Sequence, residues 1–133
     1  KGKKYKVFGP DDADALKLLN RFMKIIFVSA DSRGFKISKK RITDDMGYKL
    51  VKVSSEKRLG WIKKNFQLDE TIYMGDGFYD HLIMKKVFYS ISTSNSSENA
   101  KKYSNFVTKR TGGDRAVAEA CLHILKKFFK YII

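Results

Sequence analysis

Along this chain, short runs of β-type residues alternate with segments whose apolar side chains recur at helical spacing. Residues 4 to 8 (KYKVF) read as a strand, and Gly9-Pro10 breaks it. Asp11 or Asp12 can cap the helix that follows, which carries Leu16, Leu19, Phe22 and Met23 on one face. IIFVS (25 to 29) is a continuous apolar run ending in a hydroxyl, the pattern of a buried parallel strand. Residues 37 to 46 predict a helix with Gly47 as its C-cap, KLVKV (49 to 53) a strand, and EKRLGWIKKNF (56 to 66) a helix. TIYM, YDHLIMKK, VFYSI and FVT continue the series as strand, short helix, strand and edge strand. The polar stretch STSNSSENAKK between the last two strands reads as a loop with about one helical turn. From Asp114 onward, Val117, Cys121, Ile124, Leu125, Phe128 and Ile132 form the stripe of an amphipathic helix.

Strand and helix in alternation predict an α/β fold whose sheet is mostly parallel, with right-handed crossovers placing helices on both faces. No repeat or linker divides the 133 residues, so a single domain spanning 1–133 is expected.

Composition narrows the function classes. A hydrophobic share of 43% is that of a globular chain, and no apolar run reaches the roughly 18–20 residues that would cross a membrane. The one cysteine, Cys121, cannot form an internal disulfide and fits a reducing, cytoplasmic setting. The net charge of +14 favours an anionic partner without choosing one. Because basic and acidic residues are interspersed and no recognition motif is present, neither a nucleic acid nor a membrane is the expected partner.

Candidate chemistry gathers at the predicted strand ends, where open parallel sheets bind their ligands. Ser29 ends one strand, Lys57 follows Ser54-Ser55 at the start of a helix, and Asp76 and Asp80 follow the strand TIYM. A hydroxyl and an ammonium suit a phosphate, and carboxylates suit Mg²⁺, which takes a few of them together with water and phosphate oxygens. No Ser/His/Asp, Cys/His or zinc spacing competes, and there is no Gly-rich Walker sequence. Each residue alone has a bland reading: a solvated lysine, a strand-end serine, a turn with a cap. His123, off the centre of its stripe, reads as a surface or satisfied histidine.

In order along the chain, IIFVS, SSEKRLG and GDGFYD resemble the second, third and fourth motifs of the haloacid dehalogenase (HAD) superfamily of phosphatases. FVTKRTGGDRAVAEACLHIL is similar to the VT-x-x-x-GG-x-GAV-x-E-x-C-x-x-IL signature of the nearly capless 3-deoxy-D-manno-octulosonate 8-phosphate and sialic-acid-type 9-phosphate phosphatases. KVFGPDDADALKLL resembles their F-x-x-x-D-x-x-GI-x-x-L segment, with Phe8 and Asp12 in register. The resemblance implies a three-layer Rossmann-like fold and an Mg²⁺-dependent phosphatase of a phosphorylated sugar acid. It also implies a homotetramer in which a neighbour's tail reaches the site. Ser29 would then hydrogen-bond the phosphoryl oxygens, Lys57 would neutralise phosphate and an aspartate, Asp76 would ligate the metal, and Asp80 would orient Lys57 or a metal-bound water. Asp12, Arg110 and Arg115 would be candidate substrate contacts.

The chain also departs from that pattern. The family's first motif, D-x-D at a strand end, supplies the aspartate that attacks phosphorus. Asp12-Ala13-Asp14 has the spacing but follows the Gly9-Pro10 break. Because the chain opens on Lys1, the expectation is that the nucleophile, the first strand and the start of a β-hairpin lie upstream, and that the chain as written is inactive alone. The loop ADSRGFKIS is longer than the family's turn, and Arg115 stands where its signature has a second glycine. The competing expectation is a non-catalytic oligomerisation module associated with sugar-nucleotide synthesis.

Overall fold

The computed structural model describes residues 10–30 and 39–132. The expected strand at 4–8 and most of the loop after Ser29 lie outside the described residues. Contacts divide the chain into two compact units, Lys1–Ser54 with Gly113–Ile133, and Ser55–Gly112.

In the first unit, α1 (Pro10–Leu19) begins at the proline, whose fixed φ suits a helix start. It packs against α6 (Ala116–Phe129), the longest helix of the described residues. Leu16 and Leu19 of α1 and Cys121, Ile124 and Leu125 of α6 are buried. Helix α1 stops at Leu19, so Phe22 falls beyond it and is 42% exposed, its ring 5.2 Å from that of Phe129. Ile132, expected on the apolar stripe, also lies past its helix and is exposed.

Strand β1 (Ile26–Ser29) runs parallel to β2 (Lys49–Lys52), with Ser29 opposite Lys52. Ile26, Phe27 and Val28 are half-buried rather than enclosed, and only Ser29 is fully so. Between the strands, α2 (Lys40–Asp45) is a single wide π-type segment. Gly47 ends it as expected: at φ 81° it takes a left-handed conformation, and its N–H donates to Thr43 O at 3.0 Å.

The second unit is built on a parallel sheet ordered β3 (Ile72–Met74), β4 (Tyr89–Ser92), β5 (Phe106–Val107). Helix α3 (Arg58–Asn65) leads into β3, and α4 (Asp80–Met84) and α5 (Glu98–Tyr103) connect the strands. Ile62, Tyr73, Ile83, Met84 and Ala100 form its core, with Leu59, Trp61, Leu68 and Val87 packed at the margin. All strand pairs among the described residues are parallel, as strand–helix alternation predicts, and the α/β architecture is the Rossmann-like one the resemblance implies.

A hydroxyl-rich seam joins β4 to the segments beside it. The Ser90 hydroxyl donates to Asn105 Oδ1 at 3.1 Å, Ser92 and Ser104 hydroxyls pair at 2.9 Å, and Thr93 N–H donates to Ser96 Oγ at 2.8 Å. Ser90 and Ser92 have no solvent exposure, so these bonds are what makes burial of their hydroxyls tolerable.

Candidate functional site

The sharpest local construction lies where β3 ends. Gly75 N–H donates to Ile91 O at 3.1 Å and carries the chain out along β4. A side chain here is excluded: a Cβ on Gly75 would stand 2.6 Å from Asp80 Cγ and 2.8 Å from the Tyr73 ring. The glycine is needed because a buried carboxylate lies against its backbone.

That carboxylate, Asp80, opens α4 and is 6% exposed. One oxygen accepts the Gly77 N–H at 2.7 Å; the other accepts the Tyr73 hydroxyl at 2.5 Å and lies 3.6 Å from Arg58 Nη1. Arg58 Nη1 also donates to the Tyr73 hydroxyl at 3.1 Å. Burial first, and then the charge of Asp80, push the Tyr73 phenol well above its usual range, so it stays a neutral donor.

On its other side the loop is held by Ser97. The Ser97 N–H donates to Asp76 O at 3.1 Å and its hydroxyl to Gly77 O at 3.1 Å, while the same oxygen accepts Ala100 N–H as the N-cap of α5. The result is a loop fixed at both flanks that carries one exposed carboxylate, Asp76.

The sequence-predicted residues fall as follows. Asp76 and Asp80 share this loop and helix start. Lys57 precedes α3, exposed, and makes no ion pair among the described residues. The resemblance implied that Asp80 orients Lys57 or a metal-bound water; the cation found beside Asp80 is Arg58, one residue on. Arg110 is exposed in a braced loop: its carbonyl accepts the Thr108 hydroxyl at 2.6 Å, and Gly112 N–H donates to Asn95 Oδ1 at 3.0 Å.

Ser29 belongs to the first unit, 5% exposed at the end of β1, where its carbonyl accepts Val53 N–H at 2.9 Å. Asp12, expected as a substrate contact or as the cap of its own helix, has its carboxylate engaged elsewhere among the described residues. It is 2% exposed and its Oδ1 accepts Ala118 N–H at 2.9 Å, capping α6 from α1. Asp14 is exposed on the same helix, so the two aspartates do not form a strand-end pair. Arg115 pairs with Asp11 at 2.8 Å on the surface.

Sequence reasoning missed Arg58, Tyr73, Gly75 and Ser97. The close Gly75–Asp80 approach was the one with a signal, a glycine directly after a strand and before an acidic pair.

Among the described residues no three His, Cys, Asp or Glu side chains gather as a ready-made metal site. Mg²⁺ does not require that; it is held by one or two carboxylates completed by water and phosphate oxygens. Asp76, exposed and in no ion pair or side-chain hydrogen bond among the described residues, fits as such a carboxylate, whereas Asp80 is already engaged.

The haloacid dehalogenase-like hydrolase family matches residues 6–120, and the chain belongs to that family. Among solved structures, the 3-deoxy-D-manno-octulosonate 8-phosphate phosphatase of Moraxella catarrhalis, in complex with magnesium ion, phosphate ion and KDO, is 27% identical. The match covers 94% of this chain and 74% of that one at a TM-score of 0.74. The Haemophilus influenzae deoxy-D-mannose-octulosonate 8-phosphate phosphatase in its cobalt-bound form is 22% identical over 94% and 75% at 0.74, and the Yersinia pestis 3-deoxy-D-manno-octulosonate 8-phosphate phosphatase 21% over 93% and 69% at 0.73. These two share the fold. No curated protein sequence matches the chain. Among the described residues no helix is long and apolar enough to cross a membrane.

Proposed function

We propose that this chain is the body of a Mg²⁺-dependent phosphatase of a phosphorylated sugar acid, with 3-deoxy-D-manno-octulosonate 8-phosphate or a nonulosonate 9-phosphate as substrate. The observation that carries the reading is the division of labour between two carboxylates of one loop, in a chain of a hydrolase family. Asp80 is buried and committed to Gly77 N–H and Tyr73, while Asp76 stands exposed on the loop that Asp80 holds. Rigid presentation of an uncommitted carboxylate is what a metal ligand needs.

Asp76 would hold the ion, which supplies positive charge against the transferring phosphoryl group. Lys57, an exposed ammonium, is the phosphate-binding group of the second unit, and Ser29 is a strand-end hydroxyl of the first unit. Arg110, exposed on its braced loop, is the candidate contact for the sugar-acid carboxylate. The aspartyl nucleophile that this chemistry uses is not assigned to any described residue. Asp12 is given no substrate role in this reading, its carboxylate being enclosed and accepting Ala118 N–H.

Phosphate release from these esters by the natural gene product, measured with and without Mg²⁺, tests the reading. Asp76→Asn should lower the rate about a hundredfold or more, the scale of losing one pre-organised electrostatic group in a phosphoryl or acyl transfer site. Full activity in that variant rejects the assignment.

A further inference from the structure

Two adjacent cations begin α3, and the structure treats them differently. Lys57, at the helix boundary, is exposed and meets no acid among the described residues. Arg58, the first residue of the helix, is turned inward, with its side chain 11% exposed. Successive helical residues project about 100° apart, so neighbours in sequence cannot serve the same spot. Arg58 reaches Tyr73 at 3.1 Å and lies 3.6 Å from Asp80, and Tyr73 in turn donates to Asp80 at 2.5 Å.

This arrangement is ordered outward from the core. Tyr73 is fixed by β3 and buried with Ile62, Ile83 and Met84. Asp80 receives the Tyr73 hydroxyl on one oxygen, which leaves the other to take the Gly77 N–H. Gly77 follows Asp76 directly, so the direction of the Asp80 carboxylate sets the backbone that presents Asp76. A carboxylate held by one hydroxyl could still rotate; a planar guanidinium on the same oxygen and on the hydroxyl removes that freedom.

We infer that Arg58 and Tyr73 are positioning residues that, through Asp80, fix the loop carrying Asp76, so that the cation serving the buried acid is Arg58 and Lys57 is left for the anionic ligand. The inference rests on the phosphatase reading for its consequence in catalysis, but the positioning itself is measurable without it. Asp80 is more than a structural fixture under this scheme: loosening it should disturb metal use more than substrate affinity.

Two readouts on the natural gene product test this. The first is hydrogen exchange at the Gly77 amide, whose acceptor is Asp80. The second is the Mg²⁺ concentration giving half-maximal phosphate release, measured alongside the KM for the ester. Tyr73→Phe and Arg58→Met should each speed Gly77 exchange and raise the Mg²⁺ requirement by about tenfold or more, the usual cost of removing a group that orients a metal ligand. Arg58→Lys should recover part of both. Lys57→Ala should leave Gly77 exchange unchanged and raise the KM for the ester.

Unchanged Gly77 exchange in both Tyr73→Phe and Arg58→Met, or faster exchange in Lys57→Ala alone, overturns the inference. If the wild-type protein releases no phosphate from any sugar-acid ester, the phosphatase reading falls, while the exchange pattern still decides the positioning. If Arg58→Met fails to fold, Tyr73→Phe, which removes a single oxygen, carries the same test.

Discussion

Asp12 in the first unit and Asp80 in the second are both nearly closed to solvent, at 2% and 6% exposure, and each accepts a backbone N–H. Their surroundings differ. Asp12 satisfies an orphan donor in the first turn of α6, where the helix dipole also favours a negative charge, and the unit's helices gain a fixed crossing. Asp80 satisfies a loop amide, and the loop it shapes carries a second, uncommitted carboxylate. A buried acid that closes a helix end is finished when the helix is packed. One that holds a loop open to solvent implies that the loop has a task.

The largest effect should come from Gly75→Ala. Its Cβ would fall within 3 Å of the Asp80 carboxyl carbon and of the Tyr73 ring, so either the strand end or the carboxylate must move. Overpacking of this kind costs about 1–3 kcal/mol of stability, and a displacement of about 1 Å at a reactive loop costs about a hundredfold in rate. Thermal unfolding and phosphate release on the same sample separate the two. A variant with wild-type activity would mean that the approach of Asp80 to Gly75 is incidental.

Asp12→Ala probes the other buried acid. It leaves Ala118 N–H without its acceptor inside the α1–α6 contact, and the loss should be about 2 kcal/mol, combining a missing cap with an unsatisfied buried donor. Denaturant unfolding reads it. The comparison holds if activity per folded molecule is preserved here and lost in Gly75→Ala; equal loss of activity in both would erase the distinction.

These two aspartates also mark what a sequence can and cannot reveal. Helix α3, strands β2 and β3 and the C-terminal helix follow from periodicity and punctuation, because side-chain spacing and glycine placement are local properties. The GDGFYD loop was legible for the same reason, as a turn carrying two acids after a strand; that Asp80 turns inward onto Tyr73 and the Gly77 amide was not. Asp12 was not, because its partner is Ala118, on another helix and 106 residues away. Nor could local pattern separate Lys57 from Arg58, since adjacent residues of like charge differ only in which way the helix start turns them. The division into two compact units was equally hidden, with no composition shift at Ser54–Ser55 or Gly112–Gly113 to mark it.

A third test uses the thiol near Asp12. Burial, and after it the charge of Asp12, push Cys121 from 9.0 up to about 12. The folded state therefore keeps a proton that the unfolded chain releases above pH 9. A group with a raised folded pKa contributes stability that is whole below the unfolded value and declines as pH rises towards the folded one, so the loss falls between about pH 9 and 12, at about 1.4 kcal/mol per pH unit. The tyrosines with raised values, Tyr48, Tyr73 and Tyr89, start from 10.0, which leaves pH 9 to 10 as the window where Cys121 dominates. Urea unfolding across that window should show the decline in wild type and a flatter profile in Cys121→Ala. An identical slope in both would remove the thiol from the account.

The smallest effect is expected at Arg115, where two terms oppose each other. Its side chain pairs with Asp11 at 2.8 Å, but both partners are 59% exposed, and solvent screening limits such a pair to about 0.5 kcal/mol. Its backbone sits at φ 62°, ψ 18°, the left-handed conformation that costs a residue with a Cβ about 1 kcal/mol and a glycine almost nothing. This is why a glycine suits the position in the resembling signature; the arginine here carries the strain instead. Arg115→Ala loses the pair and keeps the strain, so it should be slightly less stable than wild type, the more so at low salt. Arg115→Gly loses the pair and relieves the strain, at some added entropy of the unfolded chain, and should be level with wild type or up to about 0.5 kcal/mol above it. The order of the two variants is the decisive reading: glycine below alanine in melting temperature would mean that the backbone at the start of α6 is not strained, and that the cap supplied by Asp12 acts on a helix end already at rest.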